Sequence, residues 1–235
     1  MKLENSIFEE DYITSFTQTG IHSVLTNKSF LSLMEIQAGA HSAFCHHSFS
    51  DLAKDNLSWI LLSWKLKVYK RPRADEKIKV ETWGREKNKV FVMRDFRVTN
   101  ENKEILAIAT SKWCLIDKKL GKIAKMPEDV DEIYHGFRNE KVFGEAYSDK
   151  IVIPQGEPKF MDTYKIRRFD LDINKHVHNL NYLNFAYEVL PFDVFMGEEL
   201  NNLEIVYKRE IKYGDTIKSF LYEENRSIYY CNKKY

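Results

Sequence analysis

Residues 169–182 read FDLDINKHVHNLNY and concentrate side chains that can do chemistry. Within them, Asp172, Asn174 and His176 stand two residues apart. In an extended segment this spacing points the three side chains to one side and the intervening residues to the other. A carboxylate, an amide and an imidazole on one side could hold and deprotonate a water molecule. The pattern favours a catalytic role, with a polar turn and N-cap before a helix as the alternative.

An EF-hand calcium loop is a weaker interpretation of the same residues. Asp170, Asp172 and Asn174 fit the first three ligand positions of such a loop. Lys175, however, stands where the sharp turn needs glycine, and Asn181 stands where a bidentate glutamate is needed. Two required features are missing, so calcium binding is disfavoured.

A transition-metal site is also disfavoured. His176 and His178, with Asp172 nearby, could begin a ligand set. No H-x-x-x-H or cysteine-bearing segment completes it. Three further histidines cluster near the end of a predicted helix, where we expect them to be exposed or satisfied locally: His41, His46 and His47. We therefore predict neither a metal nor a cofactor.

A helix is predicted to follow the polar segment, over residues 180–190. Its apolar residues share one face: Leu180, Leu183, Tyr187 and Leu190. Pro191 ends it. Alternating or β-branched segments over 202–212, 215–224 and 227–233 then predict three strands.

The first half of the chain shows the same plan. Residues 30–45 have apolar positions near helical spacing, and Ser32 with Glu35 could form a capping box at the start of a helix. Four strand segments follow, separated by turn-like residues: 58–70, 76–84, 89–99 and 105–117. One helix followed by turn-linked strands indicates an antiparallel sheet wrapped on a single helix.

A repeat links the two halves. Val68–Arg71 and Val206–Arg209 both read VYKR, and the flanks match again at Ile78 and Ile217 after a one-residue insertion. This self-similarity predicts two copies of one unit. The first copy has Pro72 at the place of Glu210 and no D-x-N-x-H before its helix. The second copy has no counterpart of the 105–117 strand before the sequence reaches its last residue.

These patterns predict an α+β fold with three segments. Residues 1–128 form an N-terminal unit, 129–150 a polar linker, and 151–235 a C-terminal unit that carries the polar cluster. We expect the second unit either to contain fewer strands than the first or to be shortened at its C-terminus.

Composition narrows the classes of function. The chain has 36 Lys and Arg against 35 Asp and Glu, so no global field favours nucleic acid or an anionic membrane. No segment approaches the ~20 apolar residues that span a bilayer, and the start MKLENSIFEEDY has no apolar signal region. The three cysteines form no C-x-x-C pair, which is typical of buried thiols in a reducing compartment. We expect a soluble, cytoplasmic protein.

The segment DLDINKHVHN, followed by NYL and EVLP, resembles the active-site segment of the acyl-acyl carrier protein thioesterases of plants and bacteria. The sequence YKRE at 207–210 resembles that family's Y-R-R-E-C. In the first half, QAGAH, WIL, ETW and TSKWCLID also resemble family positions in order. The likeness runs from about residue 8 to residue 230.

The resemblance implies a tandem double hotdog, in which two long helices are each wrapped by an antiparallel β-sheet. It also implies four catalytic residues: Asp172, Asn174, His176 and, on an opposing strand, Glu210. The family often has a cysteine after this glutamate. Here the residue is Ile211, so acyl-enzyme chemistry through a thiol at that place is disfavoured. The first unit would supply the acyl tunnel.

The implied activity is hydrolysis of a fatty acyl-acyl carrier protein, which releases free fatty acid and ends chain elongation. Glu210 and His176 would hold and deprotonate a water molecule. Backbone N–H groups at the start of helix 180–190 would take the oxyanion. Asp172 would either orient this network or attack directly, and the sequence leaves both roles open.

Acyl carrier protein is acidic, so the resemblance implies a basic docking surface. Two groups of cations are available. One lies near the site: Lys208, Arg209 and Lys212. The other lies in the first unit: Lys65, Lys67, Lys70, Arg71 and Arg73.

Other functions also fit a hotdog fold. An acyl-coenzyme A thioesterase would use the same residues. A non-catalytic acyl-binding or calcium-binding module would not need Glu210. A hotdog dehydratase is disfavoured by the pairing of Asn174 with Glu210. Monomer and homodimer both remain open.

Overall fold

The structure is a computed structural model that describes residues 2–4, 6–144, 151–197, 199–224 and 227–234. The chain divides into two units: Met1–Asp149 with Leu200–Val206, and Lys150–Glu199 with Tyr207–Tyr235. This division differs from the predicted boundaries in two places. Residues 129–144 group with the first unit, where Tyr134 and Phe143 are buried. Residues 200–206 also group with it.

The described elements are listed in chain order. They are β1 (Lys2–Glu4), β2 (Ile7–Ile13), α1 (Asn27–Phe44), α2 (Phe49–Lys54), β3 (Leu57–Val68), β4 (Lys77–Lys87), β5 (Val92–Asn100), β6 (Ile105–Asp117), β7 (Lys122–Ile123), α3 (Val130–Ile133), β8 (Lys159–Lys165), α4 (Asn181–Glu188), α5 (Phe192–Met196), β9 (Asn202–Val206), β10 (Thr216–Glu224) and β11 (Ser227–Lys234). The four strand segments predicted in the first half are confirmed as β3 to β6.

In the first unit the described strands form one antiparallel sheet in the order β1-β2-β4-β5-β6-β3-β9, and β7 pairs with β6. Its buried face carries large side chains such as Trp64, Trp83 and Phe96. The helix α1 contributes Phe30 and Met34, both fully buried, to the core of this unit. The predicted combination of one long helix with an antiparallel sheet is therefore confirmed for this unit.

The start of α1 differs from the prediction. The helix begins at Asn27, one turn before Ser32, and Thr26 is its N-cap. The Thr26 hydroxyl accepts a hydrogen bond from the Ser29 N–H at 3.1 Å. Ser32 and Glu35 lie inside the helix, so the predicted capping box is wrong. Thr26, six residues before Ser32, supplies the cap instead.

The second unit holds a three-stranded antiparallel sheet in the order β11-β10-β8. Helix α4 packs on it through Phe185, whose ring lies 4.6 Å from that of Tyr164 on β8. The predicted helix over 180–190 is present but has eight residues. The expectation of a second long helix is therefore wrong in its length, although the α+β architecture holds.

The strand predicted over residues 202–212 is shorter in the structure. Strand β9 ends at Val206, and residues 207–211 lie outside any strand. Strand β9 pairs antiparallel with β3 of the first unit, with Val206 opposite Ser63. Both copies of the VYKR repeat thus begin on the last residue of a strand, Val68 of β3 and Val206 of β9. This shared placement is what two copies of one unit would produce.

None of the described helices is both long enough and apolar enough to cross a membrane. All three cysteines are free. Cys45 and Cys114 are buried, and Cys231 is half-buried on β11. The expectation of buried thiols is therefore met for two of the three.

Candidate active site

The segment around Asp172 forms a tight turn, which corrects the expectation that it is extended. The Asp172 N–H donates to the His176 carbonyl at 2.8 Å, and the Lys175 N–H donates to the Asp172 carbonyl at 3.0 Å. Leu171 and Val177 pair on either side. Lys175 has a φ of 64°, the left-handed conformation that closes a three-residue hairpin loop. Lysine is not a typical residue for this conformation, so the pattern gave little sign of it.

The Asp172 carboxylate holds this turn from inside. Its Oδ1 accepts the N–H of Asn174 at 2.8 Å and the N–H of His176 at 3.2 Å. Asp172, Asn174 and His176 are half-buried, whereas Ile173 and Lys175 are exposed. The exposure of these five residues therefore alternates, as the prediction of three polar side chains on one side requires. A turn produces it instead of a strand.

His176 and Glu210 meet although they are distant in sequence. The His176 Nε2 lies 3.1 Å from the Glu210 Oε2. Two backbone contacts bring their segments together: His176 pairs with Lys212, and the Val177 N–H donates to the Ile211 carbonyl at 2.8 Å. The Glu210 side chain is 51% exposed, so water reaches it. The sequence placed Glu210 on a strand, but it lies in the irregular segment after β9.

Tyr182 is a polar residue of the site that sequence reasoning missed. It lies in the first turn of α4 and packs against a cluster that contains Val177 and Ile211, the neighbours of His176 and Glu210. Burial, followed by the negative charge of Glu210, raises the pKa of Tyr182 to about 12. Its hydroxyl therefore stays protonated at neutral pH, within the electrostatic range of Glu210 and in contact with the Ile211 backbone. The only signal in the sequence was its place at the end of the segment 169–182.

Two tyrosine rings close one side of this region. The Tyr182 and Tyr207 rings are 5.5 Å apart and nearly perpendicular. The Tyr207 hydroxyl donates to the Asn179 carbonyl at 3.1 Å. Tyr207 thus ties the segment that carries Glu210 to the loop before α4.

The first N–H groups of α4 already have acceptors, which corrects the expectation that they would take an oxyanion. The Asn181 N–H donates to the His178 carbonyl at 2.8 Å, and the Tyr182 N–H donates to the Asn179 carbonyl at 3.3 Å. The Leu180 N–H donates to the Asn179 Oδ1 at 2.9 Å. The loop before α4 therefore satisfies these donors locally, as polar loops at helix starts do.

Asp170 has a structural role. Its carboxylate accepts the Arg167 N–H at 2.7 Å and the Tyr164 hydroxyl at 3.1 Å. Its carbonyl accepts the His178 N–H at 2.8 Å. The turn-and-cap interpretation therefore holds for Asp170. Within the described ranges, no group of three or more His, Cys, Asp or Glu side chains is placed to hold a metal.

Of the first-half histidines, His46 is exposed as expected and His41 is not. His41 is fully buried, its Nδ1 accepts a hydrogen bond from Arg94 at 3.0 Å, and its ring stacks on Phe8 at 4.9 Å. Burial, with the nearby Arg94 charge, lowers the pKa of His41 to about 2. His46 is exposed and His47 half-buried. The expectation of a locally satisfied group fails for His41 because its partner comes from β5.

Two family profiles match the sequence. Residues 5–134 match the acyl-ACP thioesterase N-terminal domain, and residues 154–234 match the acyl-ACP thioesterase C-terminal domain.

Among curated proteins, the chain is similar to the chloroplastic oleoyl-acyl carrier protein thioesterase of Coriandrum sativum. The two are 24% identical over 230 residues, which cover 90% of this chain and 61% of the relative. Oleoyl-acyl carrier protein thioesterase 2 of Arabidopsis thaliana is 25% identical over 231 residues, which cover 92% of this chain and 63% of that protein. The chain thus spans about six tenths of the length of these relatives.

Solved structures show the same fold. An acyl-ACP thioesterase from Bacteroides thetaiotaomicron superposes with a TM-score of 0.86 at 22% identity, covering 100% of this chain and 94% of its own. The 12:0-ACP thioesterase from Umbellularia californica gives a TM-score of 0.86 at 19% identity, covering 100% and 95%. The predicted double hotdog architecture is confirmed at the level of fold.

Proposed function

Because the chain belongs to the acyl-ACP thioesterase family, we propose that it hydrolyses the thioester of a fatty acyl-acyl carrier protein. The products are a free fatty acid and the carrier protein with its free thiol, so the reaction ends chain elongation. The observation that carries this proposal is the 3.1 Å contact between His176 Nε2 and Glu210 Oε2. It joins an imidazole and a solvent-accessible carboxylate, the two groups most suited to activating water.

Hydrolysis of a thioester needs little stabilisation of the leaving group, because a thiolate leaves readily. The site must supply a base, a positioned water and a donor for the oxyanion. Glu210 accepts the His176 N–H through one carboxylate oxygen and takes a proton from water through the other. The hydroxide oxygen bonds to the thioester carbon, and the Asn174 amide N–H donates to the oxyanion that develops. The C–S bond then breaks, and the proton held on Glu210 passes to the departing thiolate.

Asp172 acts in this scheme as a positioning residue. Its Oδ1 already accepts two backbone N–H groups, from Asn174 and His176. Both catalytic side chains depend on the shape of that turn. This favours the orienting role over direct attack, because an attacking oxygen would give up hydrogen bonds that hold the site together.

The neighbouring residues support direct attack by water. Ile211, the residue after Glu210, is buried and carries no nucleophile. Cys231 is half-buried on β11, and burial raises the pKa of its thiol. A raised pKa leaves less thiolate at neutral pH, so this cysteine is a poor nucleophile.

The partner that delivers the substrate is acyl carrier protein. The first unit, with its core of α1 against a large sheet, is proposed to hold the acyl chain, while residues 172–176 and Glu210 carry out the chemistry. The free cysteines fit a reducing compartment, and we propose the cytoplasm.

The experiment is an assay of free fatty acid released from acyl carrier protein loaded with C8 to C18 chains. We expect release by the wild type and a fall of about 10²- to 10⁴-fold for Glu210→Gln. Glu223→Gln, an exposed carboxylate on β10 of the same unit, is the matched control and should keep the wild-type rate. No release for any chain length, or equal rates for Glu210→Gln and the wild type, would refute the proposal.

A further inference from the structure

A group of exposed cations lies on the two segments that carry His176 and Glu210 and on the segment just before Asp170. Its members lie on three segments of the second unit, and none forms an ion pair with any other residue that the structure describes. They are Arg167, Arg168, Lys175, Lys208, Arg209 and Lys212. Residues 167–175 and 208–215 carry these six cations against four carboxylates (Asp170, Asp172, Glu210 and Asp215), so they have a local excess of positive charge although the whole chain is almost neutral.

The three segments are joined into one surface by backbone contacts. The Ile166 N–H donates to the Asp215 carbonyl at 2.9 Å, and His176 pairs with Lys212. The guanidinium of Arg168 lies 6.0 Å from the centre of the Tyr213 ring. The six exposed cations therefore lie on neighbouring segments of the second unit.

The carboxylates on the same segments are engaged within the unit. Asp170 accepts from Tyr164 and Arg167, and Asp172 accepts from its own turn. Glu210 contacts His176, and Asp215 forms an ion pair with Lys234 at 2.7 Å. The cations are therefore left as the outward-facing charges of this face.

Large apolar side chains stand among the cations. Phe169 is 99% exposed, Ile173 73% and Tyr213 57%. Exposed apolar groups that cluster within one charged face mark interaction sites more often than chance. Together these three residues and the six cations make up what we call the basic rim.

The other cation group suggested by the sequence is less suited to docking. Lys65 forms an ion pair with Glu204 at 3.3 Å, and Lys70 pairs with Glu104 at 3.3 Å. Arg71 donates to the Leu25 carbonyl at 2.9 Å and to Asn27 at 2.8 Å. These side chains have ion-pair or hydrogen-bond partners within the first unit, whereas the six rim cations form no ion pair with the residues that the structure describes.

We propose that the basic rim docks the acidic face of acyl carrier protein, with Phe169 and Ile173 contacting apolar side chains between the partner's carboxylates. This inference rests on the proposed function and names the docking surface of that same site. Charge complementarity favours this partner. The six cations match a surface that carries carboxylates, and the apolar residues match a protein surface instead of a free anion. Lys175 and Arg209 are the sequence neighbours of His176 and Glu210, and Lys212 pairs with His176, so docking there brings the thioester close to the water-activating pair.

The test measures binding and hydrolysis in parallel on the full chain. The variant is Arg168→Glu/Lys175→Glu/Arg209→Glu. The matched control is Lys103→Glu/Lys119→Glu/Lys122→Glu, which makes the same charge change at exposed lysines of the first unit. Fluorescently labelled holo-acyl carrier protein is titrated with each at ~20 mM salt, where surface charge is weakly screened. Rates are measured on acyl-acyl carrier protein and on acyl-N-acetylcysteamine, a small thioester without the carrier.

We expect the rim variant to weaken carrier binding by about 20-fold or more, and to raise KM for the acyl-carrier substrate in parallel. Its rate on the small thioester should stay within about two-fold of the wild type, because no catalytic residue is changed. The control should match the wild type in every measurement. Phe169→Ala should weaken binding by about five-fold at both low and high salt, since its contact is apolar.

Carrier binding by the rim variant within about two-fold of the wild type, or equal weakening by the control, would overturn the docking proposal. So would a wild type that does not bind the carrier. A wild type that binds the carrier but releases no fatty acid would refute the proposed function and leave the docking surface standing. If the rim variant also loses its rate on the small thioester, the Phe169→Ala variant is the test of docking. Carrier binding by Phe169→Ala equal to that of the wild type would then overturn the proposal.

Discussion

At the residue scale, two mechanisms use the same side chains and differ only in the role of Asp172. Its carboxylate either orders the turn that carries Asn174 and His176 or attacks the thioester itself. The two backbone N–H groups that it accepts favour the first role. An amide in its place keeps an oxygen acceptor but cannot act as a nucleophile, so one substitution distinguishes them.

We predict that Asp172→Asn lowers kcat by less than about ten-fold, whereas Asp172→Ala, which frees both N–H groups, lowers it by about 10²-fold. The measurement is the rate of fatty acid release under saturating substrate. If Asp172→Asn falls as far as Asp172→Ala or further, Asp172 attacks directly and the orienting role is wrong.

Tyr182 carries a second prediction at this scale. Its hydroxyl contacts the backbone of Ile211, the residue after Glu210, so it can fix the segment that presents Glu210 to His176. We predict that Tyr182→Phe lowers kcat by about ten-fold and leaves KM within about two-fold. Tyr222→Phe on β10 is the matched control. An unchanged kcat in Tyr182→Phe would show that the hydroxyl has no part in positioning Glu210.

At the element scale, the strands of the first half were predictable and the turn was not. Strands β3 to β6 carry long runs of β-branched and aromatic residues with clear turns between them, so local pattern was sufficient. The turn at 172–176 depends on Lys175 adopting the left-handed backbone conformation, which no local preference predicts for a lysine. Strand β9 ends at Val206 because its length is set by its pairing with β3, which is a tertiary contact.

A buried histidine of helix α1 is expected to make the stability of the fold depend on pH. His41 on its inner face is fully buried, and its pKa is lowered to about 2 from the ordinary 6.5. Between these values the unfolded chain binds a proton at His41 that the folded chain does not. Its contribution to stability is therefore complete above about pH 6.5 and is lost progressively as the pH falls.

We predict that His41→Gln reduces the slope of unfolding free energy against pH, between pH 5 and 6, by about 1.4 kcal/mol per pH unit. Gln keeps an acceptor for Arg94. Urea unfolding at several pH values is the measurement, and His46→Asn, at an exposed histidine, is the control. The same slope in wild type and His41→Gln would mean that His41 titrates normally in the folded protein.

At the scale of the whole molecule, the first unit contains a segment from the C-terminal part of the sequence. Residues 200–206 return to that unit after the helices of the second unit, and β9 extends its sheet beside β3. All four tryptophans of the sequence belong to the first unit, at positions 59, 64, 83 and 113. Tryptophan fluorescence therefore reports the unfolding of the first unit alone.

We predict that Leu203→Pro, which breaks the pairing of β9 with β3, lowers the stability reported by tryptophan fluorescence by about 3 kcal/mol. Lys208→Pro, two residues beyond the strand, is the control and should leave that transition within about 0.5 kcal/mol of the wild type. Equal urea midpoints for Leu203→Pro and the wild type would show that β9 adds nothing to the first unit.

The limits of the sequence also show most clearly at this scale. The spacing of Asp172, Asn174 and His176 singled out that segment, whereas the choice of Glu210 as the fourth residue came from the resemblance to the thioesterase family, with support from the repeat. The exposed apolar residues of the basic rim, the buried His41 and the nearby Tyr182 were not predictable in this way. Exposure and burial depend on which elements pack together, and no local pattern encodes that packing.

The central claim is that His176 and Glu210 work as one unit, and a double-mutant cycle tests it most directly. Fatty acid release from acyl-acyl carrier protein is measured for the wild type, His176→Ala, Glu210→Gln and the double variant. We predict that each single change costs about 10²-fold or more and that the double variant is little worse than either. Losses that multiply in the double variant would mean that the two side chains act independently, and wild-type rates in either single variant would contradict the account outright.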